Sequence, residues 1–298
     1  LIDDASKNMI YGITGNTQKD GLWPLVQQLM TWMDAEGIHL RLHAPIASGL
    51  VERSMISPEH AEKISTDAPA ETSSIIISIG GDGTLLQTAY EVGVSGVPIL
   101  GVNIGYLGFL ADVEAMRIQQ AFQLLQSGHY EIEKRTALSL SGPYQSWALN
   151  DIVVTRQPSG GLAAIDVDVD GVRLNRYWGD GLIIATPTGS TAYSLAIGGP
   201  IVMPGSNVII VSPVAPHSLT VRPIVLPACS TLTLQLAHSS AQCTIALDGK
   251  SHPILKKKEP YTICRADHTI QLVRFKDKDY FGTLRSKLSW GMGPQIIP

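Results

Sequence analysis

The sequence predicts an α/β N-terminal doubly wound domain plus a C-terminal mostly antiparallel β domain. Two observations carry this. Through about residue 130, short apolar strands alternate with segments of helical period. From about Tyr130 onward, apolar residues recur at every second position, the strand period.

In chain order, Met9–Ile13 is a short apolar strand followed by Gly15 and Asn16. Leu22–Glu36 has a helical stripe of Leu25, Val26, Leu29, Met30 and Met33. Ile38–Leu42 is a second strand. Gly49–Pro58 is expected as a loop, ended by Ser57 as a helix N-cap with Pro58 at the first helical position. The isoleucines 75, 76, 77 and 79 mark a buried strand, and Pro98–Val102 another. Val113–Gln126 is expected as one amphipathic helix stopped by Gly128. Further on, Ala164–Leu174 reads AIDVDVDGVRL, a hairpin turning at Asp170-Gly171. The remaining expected strands are Trp147–Thr155, Leu182–Ala185, Val208–Ser212, Ser230–Ala237, Gln242–Leu247 and Thr269–Phe275.

Bulk composition narrows the function. A chain of 298 residues with 44% hydrophobic and 16% charged residues is an ordinary globular protein, long enough for two domains. A net charge of −4 argues against a broad nucleic-acid or anionic-membrane surface. Aromatic residues at 6% argue against a stacking platform for single strands. Cys229, Cys243 and Cys264 are widely spaced and form no C-x-x-C pair, which points to a reducing compartment. The start lacks a long apolar core, and no apolar run approaches the ~18 residues needed to span a bilayer. A cytoplasmic protein is expected. Lys256–Lys258 reads as a solvated turn between strands.

The stretch Gly80-Gly81-Asp82-Gly83-Thr84 joins the isoleucine strand to a helix carrying Leu85, Leu86 and Ala89. Open α/β sheets bind ligands at the carboxyl ends of such strands. Glycines let the backbone approach a phosphate, and the helix N-terminus favours its charge. Asp82 repels phosphate, so it makes sense if it acts on the phosphate's acceptor or holds Mg²⁺. The plain alternative is a tight turn with Asp82 as the helix N-cap. Gly249-Lys250-Ser251 imitates the tail of a P-loop, but Thr244 stands where that motif needs glycine. Gly101, Gly105 and Gly108 lack dinucleotide-fingerprint spacing, and no H-R-D, D-F-G or H-E-x-x-H occurs. No metal ligand set is identified.

Four further stretches are weaker singly. Asp180–Pro204 contains a buried strand, a break at Pro187 and Gly189, and then Ser190-Thr191-Ala192-Tyr193-Ser194. Small hydroxyls around one tyrosine suit an aromatic base and a sugar, although most such tyrosines serve a core or rim. Asn150-Asp151 can read ribose hydroxyls or simply turn the chain. Asp248-Gly249-Lys250 has the form of a hairpin turn. His217 reads as structural, and Arg222 as a candidate phosphate partner or a solvated arginine.

The order of these pieces is more specific than any one of them. GGDGT at 80–84, GVNIGYLGFLADV from Gly101, Asn150-Asp151, DGLIIATPTGSTAYS from Asp180, GGPIVMP from Gly198, PHSLTVRPIV from Pro216, DGK at 248–250 and the ending around Tyr280–Gly291 together resemble the NAD kinase family. The likeness runs from about Ile75 to Trp290 and is weakest over the first ~70 residues. It implies that ATP phosphorylates the adenosine-ribose 2′-hydroxyl of NAD with a divalent cation such as Mg²⁺, in a homodimer or homotetramer. It also implies residues 1–130 as the phosphate-turn domain, 131–275 as the dinucleotide-binding domain, and 276–298 as a tail returning to the first.

By matching position, Asp82 corresponds to the catalytic aspartate, and Gly83 completes the phosphate-facing turn with Gly80, Gly81 and Thr84. Asn150 and Asp151 correspond to the pair contacting NAD. Thr191, Ala192 and Tyr193 match the stretch enclosing the adenosine half, continued by Ser194, Leu195 and Ala196. Asp180 matches an acidic residue contributed across the subunit interface, and Lys250 stands where the family often has glutamine near the nucleotide. Three departures stand out. Gln87 occupies a position often basic, Asp151 replaces the commoner glutamate, and Trp178 lies where the family's choice between NAD and NADH is affected. Reduced NAD is therefore a second candidate substrate. The alternatives are a lipid or sugar-phosphate kinase built on the same turn, or a non-catalytic dinucleotide sensor. TPTGSTAYS with Asn150-Asp151 argues against the first, and retention of Asp82 against the second.

Overall fold

The structure, a computed structural model, describes residues 9–105, 108–111, 113–158, 161–238, 240–252, 259–276 and 279–290. Two compact units result. One takes the chain up to Glu133 and from Gln271 on; the other is Lys134–Ile270. The changeovers fall inside two strands rather than between elements. The Lys256–Lys258 run lies outside the described residues.

The first unit is built on a parallel sheet of β1 (Ile10–Gly15), β2 (His39–His43), β3 (Ser65–Thr66), β4 (Ile75–Gly80) and β5 (Ile99–Asn103), in the order β3-β2-β1-β4-β5. β4 is buried at all six positions, as an isoleucine run in a sheet covered on both faces should be. Helix α1 (Leu22–Ala35) buries Leu22, Trp23, Leu25, Val26, Leu29, Met30 and Met33. Their 3–4-residue spacing is what makes one face of the helix apolar. Helix α2 spans Ala44–Glu52, and α3 (Pro58–Ile64) starts with the Ser57 side chain accepting the His60 N–H. The short α4 (Pro69–Thr72) precedes β4, and α5 (Asp82–Val92) follows it.

Two expectations are corrected in this unit. Gly49 lies inside α2, not in a loop, and its missing Cβ leaves the space that the Trp23 indole fills. Val113–Gln126 is not one helix. Buried Val113 pairs with Val102 in a short strand, β6 (Val113–Glu114), and α6 covers only Ile118–Gln126. The β-branched residue completes the sheet before the helix can begin.

The second unit contains two antiparallel layers. The strands are β7 (Glu131–Ser141), β8 (Ser146–Ala148), β9 (Asp151–Arg156), β10 (Ala163–Val169), β11 (Val172–Gly179), β12 (Gly181–Ala185), β13 (Val208–Val214), β14 (Ile224–Pro227), β15 (Leu232–Leu236), β16 (Cys243–Leu247), β17 (Lys250–His252) and β18 (Tyr261–Arg274). One sheet runs β14-β13-β12-β9-β16-β17. The other sets β11-β10-β15 against β18, with β7 and β8 attached. Inward residues of both sheets, among them Ile152, Val154, Leu182 and Ile184 with Ile165, Val167 and Leu234, make one core. The β10–β11 hairpin turns at Asp170 and Gly171, both with positive φ.

Here too the strand boundaries differ from expectation. Trp147–Thr155 is two strands, broken at Leu149-Asn150. β18 starts eight residues before the expected Thr269. Arg265, Asp267 and His268 had interrupted its apolar alternation. The short helix α7 (Tyr193–Ala196) interrupts the loop after β12, and α8 (Tyr280–Leu288) closes the first unit under an Asp279 side-chain cap.

Candidate functional site

In the first unit the turn between β4 and α5 has Gly81 as N-cap and Asp82 as the first helical residue. Asp82 is thus not the N-cap. Its carboxylate reaches another loop: Oδ2 accepts the Phe109 N–H at 2.8 Å, and Oδ1 accepts those of Leu110 at 2.9 Å and Ala111 at 3.0 Å. Gly108 is required beside it, since Asp82 Oδ1 takes the space of a Cβ there. Gly80 is required because the Thr84 side chain packs where its Cβ would stand, whereas Gly83 faces open space. The receiving loop is tied down in turn. Arg274 donates to the Leu110 carbonyl at 3.0 Å and to Glu133 at 2.8 Å, and the Lys287 ammonium lies 5.5 Å from the Phe109 ring centre.

Lys19, from the loop after β1, also comes to this turn. Its Nζ lies 3.3 Å from the space of a Cβ at Gly105 and 3.9 Å from that at Gly81. Among the described residues it makes no ion pair, so a half-buried cation stands beside the glycine turn. Sequence reading missed it, because a lysine in a βα loop has no motif around it. Gln87 is exposed and bonds Glu91 at 2.9 Å.

In the second unit, Asn150, Asp151 and the Thr186–Ser194 stretch converge. Asp151 opens β9 opposite Ala185 of β12. The Thr186 hydroxyl donates to the Leu149 carbonyl at 2.6 Å, and the Thr186 N–H to that of Asn150 at 2.9 Å. Gly189 packs so closely on Asn150 that its Cβ would overlap the Asn150 backbone. The Tyr193 N–H reaches the Asp151 carboxylate. Ser190 is fixed between the Pro187 carbonyl and Val202, and Ser194 pairs with Ser212 at 3.3 Å. Thr191 and Ala192 are half-buried and Tyr193 is exposed. Arg135, buried on β7, donates to the Thr188 hydroxyl at 3.2 Å.

Asp248 belongs to this cluster as well. Its carboxylate accepts three N–H groups, from Leu149, Asn150 and Asp151. Burial first, then the neighbouring Asp248 charge, push the Asp151 carboxyl up to about 7, against the opposing Tyr193 N–H. Burial also raises Asp248, opposed by its three N–H donors and by Lys250. Lys250 itself is exposed.

Two expected site residues stand apart. Asp180 lies at the far end of β12 from Thr186, a strand of five residues or ~17 Å. It pairs with Arg156 at 2.6 Å. Arg222 donates to the carbonyls of Leu219 and Val221, both in its own loop. Trp178 is part-exposed on β11, and its carbonyl accepts the His217 N–H.

The chain matches the family model for the ATP-NAD kinase N-terminal domain over residues 11–130, and that for the ATP-NAD kinase C-terminal domain over residues 149–275. The chain belongs to the ATP-NAD kinase family. An NAD kinase of Bacteroides fragilis is 44% identical over 230 residues, covering 74% of this chain and 78% of that protein. An NAD kinase of Geobacter sulfurreducens is 36% identical over 273 residues, with coverage of 90% and 93%. Among solved structures, yeast NADH kinase complexed with NADH superposes with a TM-score of 0.84 at 24% identity, covering 97% of this chain and 90% of that one. An NAD kinase from Archaeoglobus fulgidus in complex with ATP gives 0.72 at 23% identity, with coverage of 94% and 99%. These two likenesses are of fold. Within this ATP-NAD kinase family member, no described helix is long and apolar enough to cross a membrane.

Proposed function

We propose that the protein is an NAD kinase, transferring the γ-phosphoryl group of ATP to the adenosine-ribose 2′-hydroxyl of NAD to give NADP. The observation that carries the reading is that both family domains occur in order, the first with Asp82 on the turn from β4 to α5. Phosphoryl transfer has a loose transition state, so positioning and charge neutralisation dominate. We assign residues 1–130 to the phosphate turn, 131–275 to the dinucleotide and 276–298 to a returning tail.

Gly80–Thr84 present backbone N–H groups and a helix N-terminus to phosphate, with Lys19 as a nearby cation. Asp82 acts by orientation. Three N–H donors already engage its two oxygens, which fixes the carboxylate and the 108–111 loop together. Asn150 and Asp151 hold NAD hydroxyls, and Thr191–Ala196 enclose the adenosine half, with the Tyr193 ring exposed for a base. Lys250 lies beside the nucleotide. Asp180 serves a neighbouring chain of a homodimer or homotetramer, which accounts for its distance from Asp151. Arg222 would reach a phosphate only by releasing the Leu219 and Val221 carbonyls of its own loop.

Mg²⁺ supplies charge neutralisation on the ATP phosphates when bound. Among the described residues no cluster of three His, Cys, Asp or Glu could hold a metal. A cation carried in by the ATP phosphates would need few protein ligands, and Asp82, the carboxylate of the turn, keeps acceptor capacity beyond its three N–H bonds. A cytoplasmic location suits three cysteines outside any disulfide.

The test is turnover. Purified protein with Mg²⁺, ATP and NAD⁺ is expected to make NADP⁺, read with a dehydrogenase specific for NADP⁺, and chelation should stop it. Parallel reactions with NADH decide whether reduced NAD is also accepted. Absence of product from folded protein with either dinucleotide would sink the reading.

A further inference from the structure

The hairpin turn Asp248-Gly249, with φ of 47° and 79°, reads as simple punctuation between β16 and β17. Its aspartate does not serve that turn. Asp248 Oδ2 accepts the Leu149 N–H at 2.7 Å, and Oδ1 accepts those of Asn150 at 2.7 Å and Asp151 at 3.1 Å. The Asp248 N–H returns a bond to the Asp151 carbonyl at 3.0 Å. Three successive N–H groups therefore converge on one carboxylate, at the point where β8 and β9 fail to join. Hydrogen bonds to an ionised acceptor are among the stronger kind, and removing the acceptor would strand part-buried donors.

We propose that Asp248 is the positioning residue of the NAD contact: it fixes the backbone of Leu149–Asp151 so that Asn150 and Asp151 are presented in one arrangement. The inference rests on the reading of Asn150-Asp151 as that contact. It concerns a residue that touches the substrate only through others.

A second consequence is electrostatic. Asp151 faces the Asp248 carboxylate across the turn and the Tyr193 N–H from α7; Asp248 faces its three donors and the Lys250 ammonium. On the β12 side, Leu149 and Asn150 meet the Thr186 hydroxyl and N–H, which carry no charge. Arg135 is directed to the Thr188 hydroxyl. A negative charge at position 248 thus opposes ionisation of Asp151, so NAD binding titrates with Asp248 in view.

Two variants separate the roles. Asp248→Asn keeps the shape, removes the charge, and turns an amide nitrogen toward one of the three donors. Asp248→Glu keeps the charge and displaces the carboxylate by one methylene. KM for NAD⁺ and for ATP would be measured from about pH 5 to about pH 9, across the titration of a carboxyl shifted toward neutrality. Asp248→Asn is expected to raise KM for NAD⁺ roughly tenfold, the loss of one charge-assisted bond, with KM for ATP within about twofold. The acid limb of kcat/KM for NAD⁺ should also move about one pH unit lower. Asp248→Glu should raise KM for NAD⁺ with that limb in place, and it carries the test by itself if Asp248→Asn does not fold. Wild-type KM for NAD⁺ in the folded variants would overturn the proposal. So would equal rises for NAD⁺ and ATP with an unmoved acid limb, which describe a hairpin that only supports the fold. Wild-type protein that neither turns over nor binds NAD⁺ by calorimetry would also overturn it, and that result separates failure of the kinase reading from failure of the clamp.

Discussion

Asp82 and Asp151 are both carboxylates at the start of an element, yet their surroundings differ. Asp82 is held by three N–H donors, so Asp82→Asn sets an amide nitrogen against the N–H of one donor. We expect kcat to fall at least ~10²-fold, the scale of a misplaced reacting group, measured by steady-state NADP⁺ formation. Near-normal turnover would remove Asp82 from the mechanism. Asp151 is buried against a like charge, with its carboxyl at about 7 when folded against 3.8 ordinarily. The folded state thus prefers the protonated acid. Stability from this group is intact below about pH 4 and lost as pH rises through about 7. Asp151→Asn should therefore melt higher than wild type at about pH 8, with the advantage vanishing toward about pH 4, while NAD⁺ affinity falls. Equal melting temperatures across that range would contradict the burial argument.

At the scale of elements, the Thr186–Ser194 turn lies on the Leu149–Asp151 turn with no room between them. Gly189→Ala would drive a Cβ into the Asn150 backbone. We expect about 2 kcal/mol or more of destabilisation by denaturant melts, together with loss of NAD⁺ binding by calorimetry. Ile77→Ala, in the wholly buried β4, should cost about 2–5 kcal/mol in the same melts without a specific loss of NAD⁺ binding. Local pattern made most elements legible. The isoleucine run, the α1 stripe, the Ser57-Pro58 cap and the Asp170-Gly171 hairpin all follow from residues next to one another. What could not be read depends on residues far apart. Gly49 yields its Cβ space to Trp23, Val113 joins a sheet because of Val102, and β8 ends before β9 where Asp248 gathers N–H groups from 97 to 99 residues away. The site divides the same way. Asp82 and the Thr191–Ser194 stretch stand in recognisable motifs, whereas Lys19 has no motif around it, and Asp248, though part of the DGK stretch, shows its bonds to Leu149–Asp151 only when the chain is folded.

For the whole molecule, the distance of Asp180 from Asp151 along β12 bears on assembly. If Asp180 completes a neighbour's site, chains carrying only Asp82→Asn and chains carrying only Asp180→Asn should regain activity when mixed and allowed to exchange subunits. Mixed oligomers would then hold one site with both residues intact. Activity no higher than the sum of the separate variants would return Asp180 to its own chain. The two units also differ in how the chain closes them. Lys134–Ile270 is continuous, whereas the first unit needs Leu272 beside Ile99, Val273 and Phe275 in its core, and Arg274 on Leu110. A ribosome delivers these only after the whole second unit. Throughout synthesis of the second unit, β5 has β6 beside Val102 but nothing beside Ile99, and the loop that grips Asp82 lacks its arginine. A stop codon after Ile270 would therefore leave the second unit whole and the first without the residues that finish it.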